Sequence, residues 1–317
     1  MPRVIVGISG GVDSSVSVHL LQKQGYDVET VIFKQVNAAN CDIDSTCCSA
    51  SAVEEARAVA RQLNVPFYEK DLRSIFERTV INPTIESFKA GNTPSPCTTC
   101  NSLVRSVVLD YIREVLGCDY FATGHYFKVE NGQVFRGVDP TKDQSYMVSL
   151  VKPDFFKRWL TPLGELYKTK VREIADSLGL VTAHNPDSQD LCFKHLLPDF
   201  ERKIMLNGQQ IGTHLGRPTV GQRKKFAGLN VLNVTTDTVE VGSNSPATTT
   251  CKIDNINLLD TLPEELDIQL RSHSKPVRGK VVENFIHLKE PAILSPGQVT
   301  AFYDGVKLLG GARLVTN

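Results

Sequence analysis

A segment rich in glycine and serine near the start of the chain could bind phosphate. Ser9-Gly10-Gly11-Val12-Asp13-Ser14 follows an apolar run at residues 4–8 and precedes a helical pattern. We call residues 9–14 the phosphate loop. The glycines allow close backbone approach to an anion, and the start of a helix carries partial positive charge. A carboxylate at Asp13 would repel phosphate unless a cation lies between them, which suggests Mg²⁺. The alternative is an ordinary tight turn between a strand and a helix.

Two cysteine segments could carry out sulfur chemistry. Cys97 and Cys100 form a CxxC pair between prolines and a helical pattern, and Cys192 lies in residues 185–193. A thiol near a helix N-terminus has a depressed pKa and is therefore more reactive. Three chemistries remain open: a thiol relay that ends in a disulfide, an iron–sulfur cluster on the three cysteines, or zinc, for which no fourth ligand is evident. The remaining alternative is a structural role in the core, which is our interpretation of Cys47, Cys48, Cys118 and Cys251.

The surrounding patterns indicate how these segments are positioned. Strand-like runs at residues 4–8, 28–33, 66–68 and 119–123 alternate with helical patterns at 49–63, 103–116 and 168–178. This alternation predicts a parallel sheet with helices on both faces. The composition changes near residue 197: residues 201–225 contain six basic residues and one acid, and short alternating runs with turn signals follow. Among these runs are residues 262–270, 280–288 and 298–302, which we interpret as strands of a small barrel or sandwich.

Composition excludes some classes of protein. The 317 residues contain 35 Lys and Arg against 35 Asp and Glu, so the chain is not a uniformly basic nucleic-acid coat protein, although one face can still be basic. No run approaches the roughly 20 apolar residues that span a bilayer, and we expect no membrane partner. The first residues resemble neither a signal peptide nor a transit segment, so we expect a cytoplasmic location, with an organelle matrix as the alternative.

The phosphate loop resembles that of the N-type ATP pyrophosphatases, or PP-loop superfamily, which cleave ATP to AMP and pyrophosphate while adenylylating a substrate oxygen. The two cysteine segments narrow the resemblance, together with residues 122–126, 136–146, 186–193, 220–223 and 295–298, which occur in the same order. Over nearly its whole length the chain resembles the tRNA-specific 2-thiouridylase family. Members transfer sulfur to the 2-position of the wobble uridine in tRNAs such as those for Lys, Glu and Gln.

The resemblance implies a fold and a reaction. The expected fold is α/β: a doubly wound parallel-sheet PP-loop ATP pyrophosphatase domain at residues 1–196, a small central tRNA-contacting domain at 197–257 and a C-terminal β-barrel at 258–317. The implied reaction is ATP-dependent adenylylation of the uridine C2 oxygen, then sulfur transfer through a cysteine persulfide or a [4Fe-4S] cluster. The implied cofactors are ATP and Mg²⁺. The implied partners are tRNA and a sulfur donor: a cysteine desulfurase, a sulfur relay protein or sulfide.

The resemblance also assigns roles to residues at matching positions. Cys100 matches the nucleophile and Cys192 the persulfide carrier, with Asp13 as the acidic residue of the loop. The positions that match ATP contacts are Gly7, Ile8, Ser9, Gly10, Gly11, Val12, Asp13, Ser14, Phe33 and Gly124. The positions that match contacts to the target base or tRNA are Ser95, Pro96, Cys97, His125, Lys142, Asp143, Gln144, Arg271, Ser272 and Gln298. A cluster would use Cys97, Cys100 and Cys192.

This chain departs from the family pattern in two places. Many members have Asp at the position of Cys97, and a third cysteine favours the cluster-dependent branch. The glycine-rich stretch expected after Lys224 is replaced by residues 225–228, and the segment after Cys192 is short, which suggests a trimmed central domain. Two other classes of function stay open: a PP-loop ligase that uses an amine donor, and a non-catalytic protein that binds tRNA or senses iron.

Overall fold

The computed structural model describes residues 1–36, 50–187 and 191–315. Cys41, Cys47 and Cys48 lie outside the described residues, as does the 188–190 stretch of the second cysteine segment, so the interpretation of Cys47 and Cys48 as structural is not addressed.

The N-terminal part is built on a parallel sheet, as the alternating patterns predict. The strands of the first 187 residues are β1 (Arg3–Gly7), β2 (Asp27–Lys34), β3 (Phe67–Asp71), β4 (Tyr120–Thr123), β5 (Phe127–Glu130), β6 (Gln133–Arg136) and β7 (Trp159–Leu160). Five of them form a sheet in the order β3-β2-β1-β4-β7, with every neighbouring pair parallel. The strand order reverses direction at β1, and ligands bind at such switch points in open α/β sheets.

Helices cover this sheet, and π-helical turns join two pairs of consecutive helices. The helices are α1 (Val12–Lys23), α2 (Ala50–Gln62), α3 (Arg73–Phe76), α4 (Asn82–Lys89), α5 (Pro96–Cys100), α6 (Ser106–Leu116), α7 (Pro153–Phe156) and α8 (Lys168–Ser177). A π-helical turn at Glu77–Ile81 joins α3 to α4, and another at Asn101–Arg105 joins α5 to α6. Such turns are rare and often occur at functional sites. The second one directly follows Cys100.

A four-stranded sheet lies in the centre of the chain. It contains β8 (Phe200–Leu206), β9 (Gln209–Gly216), β10 (Asn230–Val234) and β11 (Thr238–Gly242), in the order β10-β11-β8-β9. Arg202 is buried here and donates hydrogen bonds to the carbonyls of Phe88 (2.6 Å) and Lys89 (3.0 Å) at the end of α4. Arg202 therefore joins this sheet to α4 and does not contribute to a basic surface, although the sequence places it in the basic stretch.

The C-terminal part is a closed barrel. Its strands are β12 (Ala247–Leu258), β13 (Leu266–Gln269), β14 (Val277–Val282), β15 (Phe285–Ile293), β16 (Val299–Asp304) and β17 (Lys307–Leu314). Pairing of β12 with β17 closes the order β12-β15-β14-β13-β16-β17. The predicted fold class is thus confirmed. The single strand expected at 280–288 is wrong: a turn with Glu283 at a φ of 52° divides it into β14 and β15.

The barrel and the parallel sheet share one hydrophobic core. The β5–β6 hairpin follows β4 in the chain, but its strand β6 pairs with β17. The hairpin therefore extends the barrel sheet. One core cluster contains Ile5 and Phe121 of the parallel sheet as well as Val299 and Tyr303 of the barrel. The barrel sheet begins before residue 258, and the proposed domain boundaries stay a prediction. In the described part of the chain no helix is both long and apolar enough to cross a membrane.

Candidate functional site

The phosphate loop leaves the start of α1 open towards the end of β1. Gly11 is the N-cap, and no side chain of the described residues caps it. The first N–H groups of a helix have no partner within the helix, so they can bind an anion. Gly10 has a φ of 76°, and a Cβ there would lie 2.5 Å from the Ala52 carbonyl oxygen. A Cβ on Gly124 would lie 2.7 Å from the Ser14 nitrogen, so the end of β4 also requires glycine.

Serine hydroxyls maintain the shape of this loop. The Ser14 hydroxyl accepts a hydrogen bond from the Ser9 N–H at 3.1 Å and donates to the Gly11 carbonyl at 3.1 Å. The Ser15 hydroxyl donates to the same carbonyl at 2.9 Å. These bonds fold residues 9–15 into a compact turn between the end of β1 and the start of α1.

A cleft opens beside the loop, at the ends of β1, β2 and β4. The empty space in the cleft and at its open mouth is about 350 Å³. The lining residues are Gly7, Ile8, Ser9, Val31, Ile32, Phe33, Gln35, Arg105, Leu109 and Thr123. Four of them, Gly7, Ile8, Ser9 and Phe33, are positions that the resemblance assigns to ATP. Sequence reasoning missed Gln35 and Arg105, which add an amide and a positive charge to the cleft.

Asp13 is bound by a lysine that the sequence did not indicate. The Lys168 ammonium, at the start of α8, lies 2.6 and 2.7 Å from the two carboxylate oxygens of Asp13. The Tyr126 hydroxyl donates to the same carboxylate at 2.6 Å. Because Lys168 contacts both oxygens of Asp13, an ammonium supplies positive charge beside the loop. The Mg²⁺ that Asp13 suggested stays a prediction.

The same lysine reaches a second carboxylate, Asp187, near the second cysteine segment. Asp187 contacts Lys168 at 2.9 Å, Arg172 at 2.6 Å and Lys142 at 2.7 Å. Burial alone would raise the pKa of Asp187, but hydrogen bonds from Lys142 and Lys168 lower it to about 2. Lys142, which the resemblance assigns to tRNA, thus pairs with a half-buried carboxylate.

The two cysteine segments meet the same hydrophobic core. Cys97 is exposed at the start of α5, whereas Cys100 is buried. The side-chain amide of Gln35, which lines the cleft, donates to the Cys100 sulfur at 3.6 Å. Cys192 is partly exposed and packs against the core cluster that contains Cys100. Gln35 therefore links Cys100 to the nucleotide cleft, and Cys192 packs against the same extended core cluster.

The cysteines of the described residues are not grouped as a metal site. Among residues 1–36, 50–187 and 191–315, no three His, Cys, Asp or Glu side chains are grouped so that they could hold a metal ion. A cluster on Cys97, Cys100 and Cys192 stays a prediction, and we derive no step through one. Cys118 and Cys251 are buried, as a structural role requires, and burial raises the pKa of the Cys118 thiol to about 11.

The segment before the first cysteine pair is bound to the barrel. The Ser95 hydroxyl accepts the Val299 N–H at 3.2 Å, and the Gln298 amide donates to the Thr93 carbonyl at 3.0 Å. Arg271 donates to the Ser295 hydroxyl at 2.5 Å on the same barrel loop. The structure thus brings together Ser95, Arg271 and Gln298, which the resemblance assigns to the target base and tRNA. Pro96 is buried in the same segment, and the Ser272 carbonyl accepts a hydrogen bond from the Gln269 side-chain amide at 2.7 Å.

Three other positions assigned to tRNA have internal roles. His125 is buried, its Nδ1 lies 2.8 Å from the Thr123 hydroxyl, and burial lowers its pKa to about 3. Asp143 accepts from Arg136 at 2.8 Å, and the Gln144 side-chain oxygen accepts the Tyr126 N–H at 3.0 Å. The imidazole of His125 lies inside the fold in this structure, and its assignment to tRNA stays a prediction.

Comparison with known proteins agrees with this arrangement. Residues 2–195 match the family model described as the tRNA methyl transferase HUP domain, and residues 248–314 match the aminomethyltransferase β-barrel domain. Among solved structures, a 4-thiouridine synthetase–RNA complex with bound ATP shares 20% identity at a TM-score of 0.40, covering 61% of this chain and 45% of that chain. That likeness is too weak to bear on function.

Full-length relatives are more informative. The tRNA-specific 2-thiouridylase MnmA of Deinococcus radiodurans is 39% identical over 351 residues, which cover 98% of this chain and 92% of the relative. The enzyme of the same name from Thermus thermophilus is 36% identical over 350 residues, covering 98% and 94%. At this identity and coverage, the chain belongs to the tRNA-specific 2-thiouridylase family.

Proposed function

We propose that this protein is a tRNA-uridine 2-sulfurtransferase that activates the wobble uridine with ATP and then replaces its C2 oxygen with sulfur. The observation that carries the proposal is the location of Cys100: its sulfur accepts a hydrogen bond from Gln35, and Gln35 lines the cleft beside the phosphate loop. A nucleotide in the cleft would therefore lie next to a thiol, as a reaction that couples adenylylation to sulfur transfer requires.

In the first step, the uridine O2 attacks the α-phosphate of ATP, and pyrophosphate leaves. The uncapped start of α1 supplies N–H groups to the phosphates, and Lys168 and Arg105 supply positive charge. Phe33 forms part of the apolar wall of the cleft. ATP is the nucleotide of this step, while a requirement for Mg²⁺ stays a prediction.

In the second step, the terminal sulfur of a persulfide on Cys192 attacks uridine C2, and AMP leaves. The Cys100 thiolate then attacks Sγ of Cys192, which breaks the S–S bond and leaves its electron pair on the sulfur now attached to C2. The products are 2-thiouridine and a Cys100–Cys192 disulfide, which an external thiol reductant must reduce before the next cycle. A cysteine desulfurase or a relay protein supplies the persulfide sulfur by transfer of its own persulfide's terminal sulfur to the Cys192 thiolate. Sulfide can serve as donor only by attacking Sγ of Cys192 in the Cys100–Cys192 disulfide of the previous cycle, which forms the persulfide and releases the Cys100 thiolate.

The macromolecular substrate is a tRNA, and we propose the wobble-uridine tRNAs for Lys, Glu and Gln. Ser95, Arg271 and Gln298 lie where the barrel contacts the segment before Cys97, so a target base directed at Cys100 would pass this junction. In the central sheet, Lys203 and Lys225 are exposed and can contact the phosphate backbone. A cytoplasmic location completes the proposal.

Nucleoside mass spectrometry tests the proposed function. Unmodified tRNA, ATP and a sulfur donor are incubated with the protein, and the digested tRNA is analysed for 2-thiouridine. We expect 2-thiouridine with the native chain, and none with Cys100→Ser or Cys192→Ser. Cys251→Ser is the matched control, because Cys251 is buried in the barrel and is expected to leave the product unchanged.

Iron analysis distinguishes a persulfide relay from an iron–sulfur cluster as the mechanism of sulfur transfer. Protein purified without oxygen is analysed for iron and compared with Cys97→Ser. An iron-free, active protein supports the relay, whereas iron that is lost in Cys97→Ser together with activity supports a cluster. Pyrophosphate release that survives simultaneous substitution of all three cysteines, with transfer of an amine in place of sulfur, would indicate a PP-loop ligase instead.

A further inference from the structure

A short segment that follows α8 lies against the phosphate loop and the first turn of α1. Within residues 182–187, the Asn185 side-chain amide donates a hydrogen bond to the Gly10 carbonyl at 3.3 Å. The Thr182 hydroxyl donates to the Ser15 hydroxyl at 3.0 Å, and both of these side chains are buried. The segment therefore contacts the region of the anion site at two points that are more than 160 positions away in the sequence.

The backbone of this segment is held by an arginine of α8. Arg172 donates to the Ala183 carbonyl at 2.8 Å and to the Asn185 carbonyl at 3.0 Å. The Asn185 N–H donates to the Thr182 carbonyl at 3.1 Å, and Pro186 restricts the backbone of the residue before it. The Asn185 side chain is thus presented to the phosphate loop from a backbone that is fixed on both sides.

Two acceptors determine which end of the Asn185 amide faces the loop. Its nitrogen, Nδ2, donates to the Gly10 carbonyl and, at 2.8 Å, to a carboxylate oxygen of Glu55 on α2. Carbonyl and carboxylate oxygens accept hydrogen bonds and cannot donate them, so the amide nitrogen, not the amide oxygen, lies between them. The bond to Glu55 is charge-assisted and the shorter of the two, so it orients the amide and directs the second N–H at Gly10.

The peptide between Gly10 and Gly11 is the part of the loop that most needs such a contact. Glycine adopts many backbone conformations, so a peptide unit between two glycines rotates at low cost. In a trans peptide the carbonyl oxygen and the following N–H point in opposite directions. Because Asn185 binds the Gly10 carbonyl, the Gly11 N–H points away from Asn185. A rotated peptide would exchange the two groups and place a carbonyl oxygen where the N–H had been.

We propose that Asn185 is a positioning residue for ATP binding: it holds the Gly10 carbonyl away from the phosphates and keeps the Gly11 N–H directed at them. Thr182 supports the same arrangement, because it donates to the Ser15 hydroxyl, which in turn donates to the Gly11 carbonyl at 2.9 Å. Both glycine carbonyls are thereby bound by side chains. The inference rests on the proposed function only in taking ATP as the anion, and nucleotide affinity is measured without turnover.

The experiment measures the Kd of a non-hydrolysable ATP analogue by isothermal titration calorimetry between pH 8 and pH 5. Asn185→Asp keeps the shape of the side chain, but its carboxylate cannot donate to Gly10 or Glu55. At pH 8 we expect this variant to bind the analogue at least tenfold more weakly than the native chain. The neighbouring Glu55 carboxylate raises the pKa of the introduced carboxyl group, so a donor returns as the pH falls. The gap to native should be at least threefold smaller at pH 5.

The other charged groups around this position are the same in both chains. Glu55 faces Asn185 from α2 and Arg172 from α8, while Lys168 and Asp187 lie in the adjoining ion network. Their titration, like that of the analogue itself, cancels in the ratio of the two Kd values. A gap that does not depend on pH would therefore show that the substitution had disturbed the loop in general, and it overturns the proposal.

Gln62→Glu is the matched control. The Gln62 side-chain amide, also on α2, donates to the carbonyls of Leu178 and Gly179 at 3.2 and 2.8 Å. The same change from amide to carboxylate therefore acts on backbone carbonyls at the end of α8 and not on the loop. We expect its Kd to stay within about twofold of native at each pH. Equal weakening in Gln62→Glu and Asn185→Asp overturns the proposal.

A second variant keeps the proposal testable if Asn185→Asp does not fold. Asn185→Ala removes the amide without adding charge, and we expect threefold to tenfold weaker binding of the analogue. Native affinity in Asn185→Ala overturns the proposal and leaves the proposed function intact. Conversely, the expected binding results together with no 2-thiouridine from the native chain contradict the proposed function alone. A native chain that does not bind the analogue contradicts both.

Discussion

Lys168 lies with its ammonium 2.6 Å from the Asp13 carboxylate, although the two residues are 155 positions apart in the sequence. The contact joins the first turn of α8 to the first turn of α1. A carboxylate in a phosphate-binding loop requires a neighbouring cation, and this structure supplies one from the protein. Lys168 therefore allows an acidic residue to stay beside the anion site.

Substitution of Lys168 should lower nucleotide turnover strongly. In Lys168→Met the positive charge beside the phosphates is lost, and Asp13 is left to repel them. A charge-assisted hydrogen bond contributes about 2–3 kcal/mol, so kcat/KM for ATP should fall ~30- to 150-fold. The measurement is pyrophosphate release in the presence of tRNA.

The neighbouring Lys170 provides the control for this experiment. Lys170 pairs with Glu173 on the exposed face of α8, so Lys170→Met changes the same charge without reaching the loop. We expect its kcat/KM to stay within about twofold of native. Equal losses in both variants would contradict a specific role for Lys168 at the phosphates.

The sequence predicted what depends on local pattern. The strands and helices of the N-terminal part alternate with clear periodicity, and the phosphate loop contains its glycines and serines in one segment. The pairing of Lys168 with Asp187 could not be predicted, because α8 carries many charged residues and only packing decides which of them is internal. The same holds for the β5–β6 hairpin, whose partner strand β17 lies at the opposite end of the chain.

The number of basic residues in a segment does not by itself predict a basic surface, as residues 201–225 show. Residues 201–225 predict a positive surface, yet Arg202 is 1% exposed and Arg217 donates to the Leu197 carbonyl at 2.6 Å. Alternation along β8 places Arg202 on the inner face and Lys203 on the outer face. An arginine in the core is identified only by the carbonyl groups that surround it, and those come from distant parts of the chain.

Arg202 should contribute substantially to stability. Besides its bonds to α4, it donates to the Thr235 carbonyl at 2.7 Å, and Arg202→Met would leave several buried carbonyls without a donor. We expect the free energy of unfolding to fall by about 3 kcal/mol in urea titrations. Lys203→Met, on the exposed side of the same strand, should change it by less than about 0.5 kcal/mol. A similar loss in both variants would argue against the buried bonds as the cause.

Gln35 should set the reactivity of Cys100. Its amide donates to the Cys100 sulfur, and a hydrogen bond to sulfur stabilises the thiolate. A neutral hydrogen bond contributes about 1 kcal/mol, so Gln35→Leu should slow alkylation of Cys100 at neutral pH roughly fivefold. Cys97 lies on the same helix but is exposed, and its alkylation rate serves as the internal reference. Slowing of both cysteines by the same factor would show that the helix, rather than the hydrogen bond, had changed.

His125 should make the stability of the protein depend on pH. Burial lowers its pKa from 6.5 to about 3, so between these values the unfolded chain binds a proton that the folded protein does not. Its contribution to stability is complete above pH 6.5 and is lost as the pH falls towards 3. Between pH 7 and pH 5 the loss from this residue alone should be about 2 kcal/mol.

The test is urea unfolding of the native chain and of His125→Gln across this range of pH. The glutamine variant cannot gain the proton, so its free energy of unfolding should decline less steeply, and the difference between the two chains should shrink by about 2 kcal/mol from pH 7 to pH 5. The carboxylates titrate in both proteins and cancel in the difference. Parallel curves would mean that the His125 imidazole is protonated as readily in the folded protein as in the unfolded chain, and that it is therefore accessible to water and to tRNA.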